Sequence, residues 1–303
     1  VEVETPILFK STPEGAREYL VPSRMHAGMF YALPQSPQQF KQLLMVAGIE
    51  RYFQIARCFR DEDQRGHRQP EFTQLDIEVS FVEREDILNL VEGLLTEFVG
   101  QHLPGRRLLT SPFLRLAYDE VMNRYGTDKP DLRFGMELRD VTDLAAASGF
   151  GVFRQAAEAG GRVKGIVAPG CGGYTRKQLD ELTATAKAGG AQGLVTLAVE
   201  AGGTLRGPAA KFLSPAESAA LCARLGAAEG DLMLLVAGEW EMAATVLGEL
   251  RLELGTRLKL ADPDVLAFAW VLDFPLFKWE EGRWNPSHHM FTAPRPMTTR
   301  PRA

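Results

Sequence analysis

The stretch FQIARCFRDEDQRGHRQPEFTQLDIEVSF, residues 53–81, decides the fold of this chain. It predicts a strand, a charged turn and a second strand that alternates between two faces. One face of the second strand is apolar and core-like, and consists of Thr73, Leu75, Ile77, Val79 and Phe81. The other carries an aromatic ring, an amide and two carboxylates, and consists of Phe72, Gln74, Asp76, Glu78 and Ser80.

The polar face has two interpretations. An ordinary solvated strand face has the same alternation. However, the preceding strand ends in Arg60, and the connecting loop holds Arg65, His67 and Arg68. An Arg forks two hydrogen bonds onto phosphate or carboxylate. A hairpin that brings Arg60 beside Phe72 therefore suits an anionic ligand that bears a purine.

The runs FRDE and RQPEFTQLDIE closely resemble motif 2 of the class II aminoacyl-tRNA synthetases, in their bacterial aspartyl form. This resemblance implies that Arg60 is the catalytic residue and holds both the α-phosphate of ATP and the substrate carboxylate. The implied ATP-binding residues are Arg60, Asp61, Glu62, Gln69 and Phe72, the last stacked on adenine. Gln74 and Asp76 would face the substrate aspartate and its ammonium. Arg65, His67 and Arg68 would contact the acceptor end of tRNA.

Composition limits the remaining possibilities. The 303 residues, 45% hydrophobic and 24% charged, suit a globular protein of two domains. No run approaches the roughly 20 apolar residues of a membrane span, and no signal peptide is visible. The three cysteines lack zinc-ligand spacing and suit a reducing compartment, so we expect a cytoplasmic protein without a membrane anchor. The net charge of −5 argues against a generic nucleic-acid binder, although a local basic patch could still contact tRNA.

The segment STPEGAREYLVPSR, residues 11–24, is predicted to be a loop because prolines and a glycine interrupt it. A plain surface connection is the simplest interpretation. The segment also resembles the family's mobile loop, which closes over the amino-acid site. That resemblance implies that Glu14 contacts the substrate ammonium.

The segment LPQSPQQFKQLLMVAG, residues 33–48, predicts a helix with Ser36 as N-cap, Gln39 completing a capping box and Gly48 as its stop. Gln38 and Lys41 lie one turn apart, away from most of the apolar stripe, where solvated side chains are common. The match to the family's QSPQ-x-x-K segment instead assigns Ser36, Gln38 and Lys41 to aspartate binding. Lys41 would pair with the side-chain carboxylate of aspartate and reject the neutral amide of asparagine.

The segment NPSHHMFTAP, residues 285–294, contains two adjacent histidines. Neighbouring strand residues point to opposite faces, which argues against a shared metal. The segment resembles the family's HHPFTSP run, which implies that His288 approaches the substrate carboxylate, with His289 beside it. Met290 stands where the family usually has proline.

The middle of the chain, residues 131–264, is rich in Gly and Ala and lacks a P-loop ending. We predict strands near 150–154, 162–168, 193–200 and 231–237, and helices near 175–188, 214–225 and 239–254. The region resembles the GAD domain that bacterial aspartyl enzymes carry between motifs 2 and 3.

The predicted fold class is therefore α+β. The resemblance implies an incomplete class II antiparallel sheet flanked by helices, with an inserted α+β GAD domain. The expected division is 1–130 for the first part of the catalytic core, 131–264 for the insertion and 265–303 for the return to the core. Pro6 matches the end of motif 1, the homodimer motif. We expect an anticodon-binding domain before Val1 and motif 3 after Ala303, so that residues 1–303 alone would be inactive.

The implied reaction joins L-aspartate to tRNA(Asp) through aspartyl-adenylate, with ATP as co-substrate and Mg²⁺ as cofactor. The metal ligands stay unknown, and tRNA(Asn) stays open as a second substrate. Two other function classes are also open. One is a tRNA-free ligase that activates aspartate, which would lack the inserted domain. The other is a non-catalytic module that binds tRNA or serves an amidotransferase, which would not need Arg60, Glu62, Lys41 and Asp76.

Overall fold

The computed structural model describes residues 1–11, 16–64, 66, 68–280 and 282–287, except for the side chain of Glu280. The chain divides into two compact units, Val1–Val91 and Glu92–Ala303. The elements of the first unit are β1 (Leu20–Pro22), β2 (Phe30–Ala32), α1 (Gln38–Val46), β3 (Arg51–Phe59) and β4 (Glu71–Val79). Helix α2 (Arg84–His102) runs across the division.

Strands β3 and β4 form an antiparallel hairpin, which confirms the predicted strand pair. Their register places Tyr52 opposite Glu78 and Gln54 opposite Asp76. Directly opposed residues have side chains on the same face of a sheet. The polar face of β4 therefore continues across β3.

The burial of the hairpin is the reverse of the predicted one. Gln54 is 8% exposed, whereas Leu75 on the apolar face is 48% exposed and Ile55 is 59% exposed. The expectation that the apolar face is core-like is wrong, because α1 packs on the polar face, where Lys41 bonds Asp76. The ion pair between Lys41 and Asp76, and not the apolar alternation, therefore determines which face of the hairpin is buried.

Helix α1 begins one residue later than predicted. Pro37 is the N-cap and makes no side-chain capping bond, so the predicted capping box of Ser36 and Gln39 is wrong. Ser36 then lies outside the cap position, and Gln39 is the second helical residue instead of the third. The stop at Gly48 is confirmed: its φ is +91°, its N–H donates to Met45 O, and the next N–H donates to Leu44 O. This is a Schellman ending, which favours glycine.

The N-terminal run, residues 1–9, makes isolated bridges and no regular strand. Glu2 bridges Phe53 in parallel, and Phe9 bridges Ala32. Strand β1, within the predicted loop of residues 11–24, pairs with β2. The N-terminal run therefore borders the hairpin without extending its sheet.

The second unit holds the remaining elements. Its strands are β5 (Arg107–Leu108), β6 (Leu114–Ala117), β7 (Arg139–Asp140), β8 (Arg162–Ala168), β9 (Val195–Val199), β10 (Leu205–Arg206), β11 (Leu232–Gly238), β12 (Val265–Leu266), β13 (Ala269–Leu272), β14 (Phe277–Glu280) and β15 (Arg283–Pro286). Its helices are α3 (Tyr118–Tyr125), α4 (Thr142–Ala147), α5 (Gly151–Glu158), α6 (Arg176–Ala188), α7 (Pro215–Leu225) and α8 (Trp240–Arg257).

An antiparallel five-stranded sheet, in the order β10-β9-β11-β8-β7, forms the centre of this unit. Leu234 of β11 belongs to a core that includes residues of α6 and α8, while Leu235 belongs to a second core with residues of α4, α5 and α7. Both faces of the sheet are thus covered by helices. The helices and antiparallel sheets together confirm the α+β class.

Most predicted elements of this region are confirmed, but the strand near 150–154 is wrong. Those residues belong to α5 and to the turn before it. Phe153 is buried, and Phe150 packs on it edge to face at 4.9 Å. A short run of aromatic and branched residues cannot distinguish a strand from a buried helix.

Outside the central sheet, β12 pairs in parallel with β5, and β13 pairs in parallel with β6. Strands β14 and β15 form a hairpin. The predicted return to strand and hairpin patterning after residue 264 is confirmed. No helix in the described part of the chain is long and apolar enough to cross a membrane.

Helices α3 and α8 touch backbone to backbone. Helix α3 ends at Gly126, with a left-handed φ of +70°. A Cβ on Gly126 would lie 2.0 Å from Ala244 O, and one on Gly248 would lie 2.7 Å from Gly126 O. Only glycine fits at this crossing.

Arg251 of α8 is fully buried. Its guanidinium donates to the carbonyls of Asp131, Phe134 and Gly135 at 2.7–3.1 Å and lies 4.2 Å from the centre of the Phe134 ring. Burial lowers the pKa of this guanidinium. The side chain thereby fixes the turn of residues 131–135 on α8.

Candidate functional site

The polar face of the β3–β4 hairpin holds a compact charged cluster. Lys41 Nζ donates to Asp76 Oδ1 at 2.7 Å and lies 3.2 Å from Glu78 Oε2. The side chains of Lys41 and Asp76 are 11% and 12% exposed, whereas that of Glu78 is 39% exposed. Burial lowers the pKa of Lys41, but the hydrogen bond to Asp76 and the charges of both carboxylates outweigh it, so the pKa lies above its usual value.

The cluster has one negative charge in excess, since one ammonium faces two carboxylates. Within the described residues, the buried Asp76 Oδ2 accepts no hydrogen bond. A buried acceptor without a donor is costly. The cluster is therefore suited to receive a further cationic donor, such as an ammonium group.

Beside the cluster, on the same face of the hairpin, lies a second polar group, formed by Tyr52, Gln54 and Thr5. The Tyr52 hydroxyl donates to Gln54 Oε1 at 2.7 Å, and Thr5 Oγ1 donates to the same oxygen at 3.0 Å. Burial, followed by the charge of Asp76, raises the pKa of the Tyr52 phenol well above its usual value. The phenol therefore stays protonated at physiological pH.

At the other end of the same strand face, Arg60 and Phe72 border a cleft of about 350 Å³. The Arg60 guanidinium lies 5.1 Å from the centre of the Phe72 ring, a cation–π distance. Glu62, Gln69 and Arg68 line the same cleft. The cleft thus offers an aromatic face, two guanidinium groups and an amide, together with the carboxylates of Glu62 and Asp63. The ring and the guanidinium groups suit a flat ring with an attached anion.

The structure brings many predicted residues together on the hairpin, but not all. Asp61 is not among the residues that line the cleft; its N–H bonds Arg17 O, and its carboxylate lies 4.0 Å from the Arg17 guanidinium. Gln74 Oε1 accepts from Cys58 Sγ at 3.3 Å. Arg68 lies 3.8 Å from Glu62 and is largely exposed.

The predicted residues near α1 have separate surroundings. Ser36 borders a second cleft of about 220 Å³, together with Gln39, Phe40 and Gln54. Gln38 is the first residue of α1, one turn before Lys41. Glu14, Arg65, His67, His288 and His289 lie outside the described residues.

Sequence reasoning missed Tyr52, Gln54 and the contact of Glu78 with Lys41. It also missed Gln35, which is 3% exposed and bonds both the N–H and the carbonyl of Ala16. The signal for the first two was available, since Tyr52 and Gln54 alternate along β3 as Asp76 and Glu78 do along β4. The described residues contain no group of three or more His, Cys, Asp or Glu side chains placed to hold a metal ion.

Comparison with known proteins gives consistent matches. The family model described as "tRNA synthetases class II (D, K and N)" matches residues 1–302. A protein of Rubrobacter xylanophilus named aspartate–tRNA(Asp/Asn) ligase is 61% identical over 97% of this chain and 49% of its own length. One of Symbiobacterium thermophilum with the same name is 56% identical over 98% of this chain and 50% of its own length. An aspartate–tRNA ligase of Geobacillus kaustophilus is 54% identical over 97% of this chain and 50% of its own length.

The chain thus spans about half the length of the curated relatives that it matches. A solved structure of asparaginyl-tRNA synthetase from Pyrococcus horikoshii is 26% identical over 42% of this chain and 34% of its own, with a TM-score of 0.34. That TM-score is too low to support an inference.

Proposed function

The chain belongs to the class II tRNA synthetases, and we propose that it forms part of a bacterial-type aspartate–tRNA ligase. Such an enzyme joins L-aspartate to the 3′ end of tRNA(Asp) and consumes ATP. The relatives named for both Asp and Asn tRNAs, at 51–61% identity, favour tRNA(Asn) as a second substrate. A translation enzyme of this kind would work in the cytoplasm.

The observation that carries this proposal is the cluster of Lys41, Asp76 and Glu78, with its excess negative charge and open Asp76 Oδ2. Asp76 and Phe72 are four residues apart on one strand face, roughly 14 Å by the rise of an antiparallel strand. An aminoacyl-adenylate could extend along that face, with its ammonium at Asp76 and its adenine at Phe72. The phosphate would then approach Arg60.

The reaction has two steps. A carboxylate oxygen of aspartate attacks the α-phosphorus of ATP, a new P–O bond forms, and pyrophosphate leaves. The terminal ribose hydroxyl of tRNA then attacks the acyl carbon, and AMP leaves. Arg60 would offset charge at the α-phosphate, and a donor preorganised in this way is typically worth about 2.7–4 kcal/mol.

Lys41 would select the substrate through its remaining donor. An ammonium has three donors, and two of those of Lys41 face Asp76 and Glu78. The third N–H would bind the side-chain carboxylate of aspartate. Glu14, Gln38, Ser36, Gln74, His288 and His289 stay predicted aspartate-binding residues by resemblance alone.

Magnesium bound with ATP would offset negative charge on the phosphates in this reaction. The described residues offer no cluster of ligands for it, and Asp76 and Glu78 already face Lys41. We therefore assign no magnesium ligand. The homodimer implied by Pro6 and the acceptor-end contacts of Arg65, His67 and Arg68 remain predictions.

We also propose that residues 131–264 form the inserted GAD-type domain. The five-stranded sheet and its helices fall within this range and have their own cores on both faces. Such an insertion favours the bacterial aspartyl enzyme over a compact ligase that does not use tRNA. The insertion does not argue against a non-catalytic binding module. The charged cluster and Arg60 are the features that argue against one.

The proposal is tested in a chimera in which this chain replaces the matching half of the Rubrobacter xylanophilus relative, which is 61% identical. We expect exchange of pyrophosphate into ATP that depends on aspartate and not on asparagine. In the chimera, Phe72→Ala should weaken ATP binding by about 1–3 kcal/mol if the ring stacks on adenine. Phe53→Ala, on the opposite face of the hairpin, is the matched control. Equal ATP affinities for the two variants would contradict the adenine assignment, and absent exchange would contradict the function.

A further inference from the structure

Glu78 is a charged residue to which the two-step reaction assigns no role. Its Oε2 lies 3.2 Å from Lys41 Nζ, and its side chain is 39% exposed, against 12% for Asp76. The closer and more buried Asp76 would by itself balance the charge of Lys41. Glu78 therefore adds a second carboxylate to an ammonium that is already paired, and it does so on the more exposed side of the cluster.

This second carboxylate is not needed to hold Lys41 in place. Ion pairs in which one partner is well exposed contribute little to stability, and the hydrogen bond from Lys41 to Asp76 at 2.7 Å already fixes the ammonium. The main effect of Glu78 is on charge, since it changes a balanced pair into a cluster with one negative charge in excess. That excess acts on any charged ligand that reaches Lys41.

The order of residues along β4 shows which part of a ligand would meet Glu78. Phe72, Asp76 and Glu78 follow one another on the polar face of the strand, and Asp76 and Glu78 are about 7 Å apart by its rise per residue. With adenine at Phe72 and the amino group at Asp76, the side-chain carboxylate of aspartate would lie at the far end, toward Lys41. This carboxylate and Glu78 would then accept from the same ammonium, with their oxygens about 5 Å apart.

Aspartate and a dicarboxylate without an amino group differ in the charge that they bring to this end of the site. Aspartate brings an ammonium together with its side-chain carboxylate, so the excess stays at one negative charge. Its ammonium also supplies a donor to the open Asp76 Oδ2. Succinate, which is aspartate without its amino group, brings only the carboxylate. The excess would rise to two negative charges, and Asp76 Oδ2 would stay without a donor.

We propose that Glu78 is a specificity-determining residue, whose carboxylate beside Lys41 makes the amino-acid site reject dicarboxylates that lack an amino group. This inference rests on the proposed function, since it concerns the same amino-acid site. The role is separate from the rejection of asparagine, which depends on the ammonium of Lys41. Glu78 acts by repelling a carboxylate that no ammonium accompanies.

The test compares Glu78→Gln with the unmutated chimera in pyrophosphate exchange at low ionic strength. Glutamine keeps the size of the side chain and an acceptor oxygen for Lys41 but removes the charge. We expect the inhibition constant of succinate to fall about tenfold, which is toward the lower end of the Coulomb repulsion at about 5 Å because Glu78 is partly exposed. The aspartate KM should stay within about threefold, because less repulsion of its carboxylate is offset by less attraction of its ammonium.

Two variants and a third ligand serve as controls. Glu71→Gln removes the same charge from the opposite face of the same strand and should leave the succinate constant unchanged. Glu78→Asp keeps the charge, so its succinate constant should stay within about threefold of the unmutated value. Asparagine has the ammonium but no side-chain carboxylate, so Glu78→Gln should not tighten its binding. Added salt should reduce the effect on succinate, since it screens partly exposed charges.

The outcomes separate the inference from the function. An unchanged succinate constant in Glu78→Gln, or equal tightening of succinate and asparagine, would overturn the role of Glu78 and leave the ligase function intact. The same would follow if Glu78→Asp admitted succinate as well as Glu78→Gln does. If the unmutated chimera showed no exchange that depends on aspartate, the proposed function would fail and the role of Glu78 would fail with it.

Discussion

Replacing Lys41 by methionine removes the only cation that the structure places between Asp76 and Glu78 among the described residues. Methionine keeps the length and the apolar stem of the side chain, so the change is chiefly electrostatic. Asp76, only 12% exposed, would lose the cation that it is paired with. Glu78, at 39% exposure, can turn toward water.

The magnitude follows from these exposures. Removing one partner of a buried ion pair typically costs 3–5 kcal/mol, while an exposed pair contributes about 0–1 kcal/mol. The pair of Lys41 and Asp76 is buried but not fully, so we expect Lys41→Met to lower the free energy of unfolding of the first unit by about 3 kcal/mol. Glu78→Gln should cost about 0.5 kcal/mol. The double change Lys41→Met with Asp76→Asn should recover about 2 kcal/mol, since the buried charge is removed as well.

The chain offers a built-in control for the assay. All four tryptophans, Trp240, Trp270, Trp279 and Trp284, lie in the second unit. In urea titrations of residues 1–303, tryptophan fluorescence reports on that unit alone, while far-ultraviolet circular dichroism reports on both. Lys41→Met should shift a transition seen by circular dichroism and leave the fluorescence midpoint in place. If Lys41→Met cost no more than Glu78→Gln, or if the double variant were the least stable, the buried-pair reasoning would be refuted.

Three further predictions concern the second unit. Arg251→Met should lower the free energy of unfolding detected by fluorescence by about 3 kcal/mol, because three carbonyls lose a charged donor. The control Arg154→Met, in an exposed pair with Glu158, should cost under about 0.5 kcal/mol. Similar costs for both would contradict the anchoring role of Arg251. Gly126→Ala should lower the free energy of unfolding by about 3 kcal/mol, from backbone strain plus the collision with Ala244 O. Gly226→Ala should lower it by only about 1 kcal/mol, because Gly226 has a similar φ of +74° but open space around it. The hydrogen bond from Arg124 holds the pKa of Glu137 below its ordinary value of 4.5, so this pair stabilises the fold above about pH 4.5 and loses its effect as the pH falls through the lowered pKa. Unfolding curves of wild type and Glu137→Gln should therefore converge in acid, and a constant difference between pH 7 and pH 3 would exclude this linkage.

The sequence predicted most of the elements, because local signals determine them. The hairpin of residues 51–79 follows from alternation around a turn. Helix α7 begins after Ser214, with Pro215 in its first turn and Glu217 completing a capping box. Such signals lie within a few residues of each other and need no tertiary information.

Burial was harder to predict than secondary structure. Lys41 is the only buried residue of α1, whereas Leu43, on the predicted apolar stripe, is 63% exposed. The partner that draws Lys41 inward, Asp76, lies 35 residues further along the chain. A contact between residues so far apart in the sequence leaves no local pattern. The sequence alone therefore could not show which face of the helix or of the hairpin is buried.

The site was predicted in part for the same reason. The resemblance placed Arg60, Phe72 and Asp76 on one hairpin, and the structure gives them a common face. It did not reveal that Lys41 is already paired with two carboxylates, nor that Tyr52 and Gln54 lie opposite Glu78 and Asp76 on the same face. These features depend on the register between two strands and on the docking of a helix.

The crossing of α3 and α8 at Gly126 and Gly248 has a mechanical consequence. Helix α3 belongs to the part of the chain predicted as catalytic core, and α8 belongs to the part predicted as insertion. Two backbones in direct contact have no side-chain layer that could deform between them, so a displacement of one helix along the other meets steep repulsion. The two helices would therefore move together, as one rigid contact, when a force acts on either part. A pull on the insertion, for instance by a bound partner, would reach α3 with little loss.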